Sequence, residues 1–152
     1  LLLIVPLAAV INFAYYVQKG TKPELHLRAI GWNVITNDAG EVYVSVSRHT
    51  DDAGLRELQS INKLVELEIV WANVTDAGLV HVGGLKDLET LNLAIPSTDA
   101  GLARLHGLTK LNWIALQGTK VTPIGINALQ KALPKCTIYR NCFPCGAGKF
   151  GA

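Results

Sequence analysis

Four glycines, Gly54, Gly78, Gly101 and Gly125, stand 24, 23 and 24 residues apart, and this spacing restricts the fold more than any other feature of the chain. A period in this range belongs to chains made of stacked copies of one small supersecondary unit, none of which buries its apolar face alone. From each of the first three glycines, apolar residues recur at offsets of 1, 4, 7, 10, 13 and 15. They are Leu55, Leu58, Ile61, Leu64, Leu67 and Ile69, then Leu79, Val82, Leu85, Leu88, Leu91 and Leu93, then Leu102, Leu105, Leu108, Leu111, Ile114 and Leu116. Every position is Leu, Ile or Val, a phase that a core assembled only once would not keep. With 152 residues and 49% apolar content, the chain has material for one such unit plus an appendage, not for two full domains.

The steps of three suit a short helix and a descending turn, whereas the closing L-x-L suits a strand with both side chains pointing inward. Each copy therefore reads helix, turn, strand. The return into the next helix carries Asp51-Asp52-Ala53-Gly54, Thr75-Asp76-Ala77-Gly78 and Ser97-Thr98-Asp99-Ala100-Gly101. There a hydroxyl or carboxylate is expected to accept from the free amides of the helix, with the acid at the positive end of the dipole. The fourth return, Pro123-Ile124-Gly125, keeps a helix start but loses the acid. The second copy is one residue short around Ala94-Ile95-Pro96, so its loop is expected to sit differently.

The pattern L-x-x-L-x-x-L-x-L followed by x-x-T-x-V-T-D-A-G-L, in Leu64 to Leu79 and again in Leu111 to Gly125, resembles the cysteine-containing subclass of leucine-rich repeats and its bacterial relatives. The ending Ala128 to Ile138 is similar to the last repeat of such bacterial proteins, and the resemblance covers roughly residues 42 to 139. It implies an α/β fold, a right-handed leucine-rich-repeat solenoid with a parallel concave sheet and short convex helices. It also implies a protein that binds rather than catalyses, although fold alone does not assign function. The ubiquitin-ligase adaptor motif often attached to eukaryotic members has no counterpart in this sequence.

Leu1 to Val17 carry no charge, and as a helix they span roughly 25 Å, close to a ~30 Å hydrocarbon core. Tyr15 and Tyr16 followed by Lys19 suit an interfacial belt with a basic flank. A single-pass anchor over 1–18 is the expectation, with the extracytoplasmic side favoured for the rest. A secretory signal peptide is the competing reading, but it lacks a small-x-small cleavage site; a buried core helix is the third. The sequence opens on Leu1 and holds no methionine, so residues upstream of it are expected. Residues 19–23 read as a linker. Over 24–46 a cap is expected, a short helix burying Leu25, Ala29 and Ile30 and then a hairpin around Asn37 to Gly40. Repeats follow over 47–139, and a Cys/Gly tail over 140–152.

In a stacked architecture the residues flanking each L-x-L line up on the open face of the sheet. The expected rows are Tyr43, Ser45, Ser47; Glu66, Glu68, Val70; Thr90, Asn92, Ala94; Trp113, Ala115, Gln117; and Lys135, Thr137, Tyr139. Of these, Tyr43, Glu66, Glu68, Thr90, Asn92, Trp113, Gln117, Lys135 and Tyr139 are the candidate contacts for a protein partner, because aromatic anchors inside a polar rim carry many interfaces. The competing reading is that Thr, Val, Tyr and Trp simply suit a solvated strand.

Charge is unevenly spread. Residues 101 to 152 hold seven Lys or Arg and no acid, which suits incidental solvation, an acidic partner surface, or association of the basic end with the acidic end of another copy. The lysines are dispersed and no recognition motif accompanies them, so nucleic acid is not expected. Cys142-Phe143-Pro144-Cys145 has C-x-x-C spacing, open to a disulfide or free thiols, half a metal site, or thiol-disulfide exchange. Even with Cys136 a closed zinc site is one ligand short, and a glycine-rich tail stands where a redox site needs a helix. His26, His49, His81 and His106 are scattered, and the Glu66/Glu68 pair lacks a proton-accepting partner. No cofactor, metal or catalytic residue is therefore expected.

Overall fold

A computed structural model describes residues 22–141 and 148–150 of the chain. The expected anchor and the C-x-x-C cysteines lie outside these residues. Among the described residues, no helix is long and apolar enough to cross a membrane.

The described chain begins with helix α1 (Lys22–Ala29) and a hairpin of β1 (Asn33–Thr36) and β2 (Val42–Ser45), with Val34 opposite Val44 and Ile35 opposite Tyr43. Asn37 turns the hairpin: its Oδ1 accepts from the amides of Ala39 and Glu41, both at 3.0 Å, and Gly40 takes a left-handed φ of 76°. The expected buried side of α1 is corrected. Leu27 is fully buried, Leu25 only partly so, Ala29 is exposed and Ile30 is 43% exposed. The cause is the exit from the helix. The amide of Trp32 donates to the Leu27 carbonyl at 3.0 Å, and the buried Trp32 indole donates to Thr50 Oγ1 at 2.8 Å, so the Leu27 side faces the core.

From β2 onward, strands alternate with short helices: a 3-10 helix (Gly54–Ser60), β3 (Leu64–Val70), α2 (Leu79–Val82), β4 (Thr90–Ala94), α3 (Asp99–Ala103), β5 (Trp113–Gln117), α4 (Pro123–Ala132) and β6 (Thr137–Asn141). The last strand is β7 (Gly148–Phe150). All seven strands form one sheet in sequence order. Strands β2 to β6 are parallel, and β1 and β7 flank them antiparallel. The architecture is thus mixed α/β with a single, mostly parallel sheet.

The L-x-L phase becomes layers of core. Leu67, Leu91, Ile114 and Ile138 stand opposite one another along the sheet, as do Ile69, Leu93 and Leu116, and none is more than 2% exposed. Leu55 and Leu58, Leu79 and Val82, Leu102 and Leu105, and Ile126 and Leu129 join the same cluster from the helical segments. Burying each such side chain stabilises the fold by about 1.5–3 kcal/mol before entropy is counted. In the second layer the slot on β6 is taken by Arg140, opposite Leu116, so this layer ends there.

Between copies runs a polar ladder that gives three of the turn aspartates a role beyond the expected one at their own helix starts. Asp52, Asp76 and Asp99 each reach forward to the threonine of the next turn. Asp52 Oδ1 accepts from the Thr75 amide at 2.7 Å and its Oδ2 from the Thr75 hydroxyl at 2.6 Å. Asp76 receives the amide of Thr98 at 2.9 Å and its hydroxyl, and Asp99 receives the amide of Thr122 at 2.8 Å and its hydroxyl at 2.6 Å. Helix capping falls to the residue before the acid: Thr98 accepts from Ala100 at 3.3 Å and Thr122 from Gly125 at 3.4 Å. The glycine period has its cause here, because a Cβ on Gly78, Gly101 or Gly125 would collide with the carboxyl group of Asp52, Asp76 or Asp99 respectively. The ladder ends at Thr122, where Pro123 stands in the position of the acid. At its start, Asp51 occupies the threonine slot and accepts from the Gly54 amide at 2.9 Å.

Candidate functional site

Of the two sheet faces, one is buried under the helices and the other is open, as the alternation of buried and part-exposed residues along β2, β3 and β4 shows. On the open face two rows form in register. Tyr43, Glu66, Thr90, Trp113 and Thr137 make the first, and Ser45, Glu68, Asn92, Ala115 and Tyr139 the second. The trace of the last strand differs from the sequence expectation by one step. Lys135 lies in the exposed turn before β6, so Thr137, not Lys135, sits opposite Trp113. Ser47 likewise follows the end of β2 and joins neither row. Gln117 stands at the exposed end of β5.

The rows differ in how far their side chains are already engaged. Tyr43 is tied to the hairpin turn, where its hydroxyl accepts from Asn37 at 3.2 Å and donates to Glu41 at 3.4 Å. Glu68 accepts from Asn92 at 3.3 Å, while the buried Oδ1 of Asn92 has no hydrogen-bond partner. Glu66 is exposed. At the other end, the rings of Trp113 and Tyr139 lie 5.7 Å apart and tilted by 43°, with Trp113 half-buried and Tyr139 exposed. Between the aromatic pair and the glutamates the face holds only small or neutral residues. It therefore offers a carboxylate end and an aromatic end.

A second concavity escaped the sequence reading. At the carboxyl ends of β3 to β6 lies an open groove of about 1120 Å³, lined by Trp71, Asn73, Pro96, Gln117, Thr119 and Arg140 among others. Trp71 is 77% exposed and adopts φ 58°, in the left-handed region. Two residues beyond the L-x-L, the first copy has Trp71 and the third has Gly118 at φ 63°, so a glycine meets the same backbone demand without strain. The shortened second copy has no such left-handed residue; Ile95 turns into the core instead, 2% exposed. The clue in the sequence was a tryptophan in a turn slot, visible only by aligning the copies beyond their L-x-L. Arg140, assigned by sequence to the tail, belongs to β6 and lines this groove.

Cys136 is buried with a free thiol whose pKa is pushed up to about 11 by desolvation, so it is not a thiolate near neutrality. No group of three or more His, Cys, Asp or Glu able to hold a metal ion occurs among the described residues. No protein-family model matches the chain, and a search among curated proteins returned no match.

Proposed function

We propose that the chain is a leucine-rich-repeat module that holds a partner protein on the open face of its sheet. In this reading the parallel sheet is the concave side of a short right-handed solenoid, the helices form its convex side, and α1 with the β1–β2 hairpin closes its first layer. The apolar segment 1–18 tethers it to a membrane on the extracytoplasmic side. The observation that carries the reading is the Trp113–Tyr139 pair, two large rings held at the surface in register with Glu66 and Glu68. Aromatic side chains in such positions supply most of the affinity at protein interfaces, and carboxylates at the far end select the partner by charge. A segment with an apolar anchor and a basic side chain fits this arrangement.

The test is capture of partners from a membrane extract with the full chain, compared with a Trp113→Ala variant. Loss of one partner in the variant, with an unchanged thermal transition, supports the reading. A full set of partners retained by a folded Trp113→Ala chain would refute it.

A further inference from the structure

We infer that the groove at the carboxyl ends of β3 to β6 is a second binding site, and that it takes an acidic peptide segment bearing an aliphatic side chain. Its apolar residue lies on the Trp71 indole and its carboxylate meets the Arg140 guanidinium. Three observations on separate residues lead there.

The first is Trp71. A bulky residue in the left-handed region is an outlier, and such strain collects where the side chain has a task outside the fold. Gly118 meets the same backbone requirement in another copy without a side chain, so the indole is not needed for the turn. It is also not needed for the core, since it is 77% exposed.

The second is charge. The groove lining contains Arg140 and no acid. The carboxylate that feels Arg140 is Asp99, and its oxygens are already occupied by the hydroxyl and amide of Thr122. Among the described residues Arg140 forms no salt bridge. A planar guanidinium at the rim of an acid-free groove suits a carboxylate.

The third is length. Trp71 follows β3 and Arg140 lies on β6, three strand spacings away, or roughly 14 Å at about 4.8 Å per strand. An extended peptide covers that distance in about four residues. A single small anion reaches only one end. Between the ends, Asn73, Gln117 and Thr119 offer amide and hydroxyl groups that both donate and accept, as peptide units require.

Calorimetric titration of the full chain with blocked hexapeptides tests this, one alternating leucine with aspartate and one alternating leucine with lysine. The expected result is binding of the aspartate peptide with a loss of about thirtyfold in Trp71→Gly and about tenfold in Arg140→Gln, whereas any binding of the lysine peptide belongs to the open face and is unchanged in Trp71→Gly. Trp71→Gly is also expected to melt no lower than the parent chain, which separates a lost contact from a lost fold. Trp113→Ala is expected to bind the aspartate peptide as the parent does. The proposal is overturned by silence of the aspartate peptide, by lysine-peptide binding that falls in Trp71→Gly, or by undiminished aspartate-peptide binding in Trp71→Gly. Loss of binding in Trp113→Ala would move the peptide to the open face and overturn it as well. Trp71-dependent binding of a hexauronate in place of the peptide would reassign the groove to acidic sugars.

Discussion

The turns that lead into the helices and the segments that leave the strands are two ends of the same repeat, and they behave in opposite ways. At the helix entrances the copies agree: acid, threonine and glycine recur, and each acid is satisfied by the next threonine while resting over the next glycine. At the strand exits they disagree: Trp71, Ile95 and Gly118 follow the same L-x-L, one exposed, one buried and one without a side chain. Where copies agree, the side chains are consumed by one another and hold the stack together. Where they diverge, one side chain, that of Trp71, is left over and free to meet something else.

The comparison breaks most readily at the helix entrances. Gly101→Val places a branched side chain against the Asp76 carboxyl and Leu79, and a loss of about 3 kcal/mol is expected from overpacking and the displaced charged hydrogen bonds. Chemical denaturation reads it directly; a loss below about 0.5 kcal/mol would show that the turn relaxes and that the glycine period has another cause.

Acid attacks the same ladder one step further on. The hydroxyl and amide of Thr122 hold the Asp99 carboxyl below its ordinary value of 3.8. Its folded pKa is therefore below its unfolded one, so its contribution is fully present above pH 3.8 and is lost as pH falls through the lower, folded value. The stability gap between the parent and Asp99→Ala is expected to be constant near neutrality and to narrow below pH 3.8. A gap that stays constant into strong acid would mean that the carboxylate charge contributes nothing.

Two substitutions, one just before a helix entrance and one at a strand exit, are expected to improve the fold. Ser97 stands just before Thr98, where the first and third copies place the buried Val74 and Val121. Its hydroxyl is fully buried with no hydrogen-bond partner, so Ser97→Val is expected to gain about 1 kcal/mol. A melting temperature that falls would show that the shortened loop leaves no room for the added methyl groups. The smallest effect belongs to Trp71→Gly, where relief of roughly 1–2 kcal/mol of left-handed strain is offset by the extra freedom of glycine in the unfolded chain, leaving about 0.5 kcal/mol of gain. A clear loss of stability would make Trp71 a structural residue after all.

How much could be read in advance follows the same division. The eighteen phased Leu, Ile and Val positions located β3, β4, β5 and the layers beneath them, because a period of two inside a period near 24 buries all of them except Ile61, which is half-buried. The glycines were read correctly as punctuation, but their partner was hidden. That Asp76 lies over Gly101 depends on how closely successive turns approach, and no local propensity contains that distance. Lys135 was placed on a strand for a related reason: the last copy lacks the full phase, so register there rests on pairing with β5 rather than on spacing.

The sequence alone determined that short helical segments alternate with strands, since the apolar phase switches from steps of three to a step of two within each copy. Tertiary structure alone decided which polar residues are used up and which remain. An aspartate and a tryptophan in neighbouring turns look equally polar or equally conspicuous in one dimension. Stacking brings the aspartate within 2.9 Å of the amide of the next copy's threonine and leaves the tryptophan 77% exposed at the mouth of a groove. Hydrogen bonds and van der Waals contacts act over a few ångströms, so partners some 22 residues apart in sequence exist only once the copies are stacked.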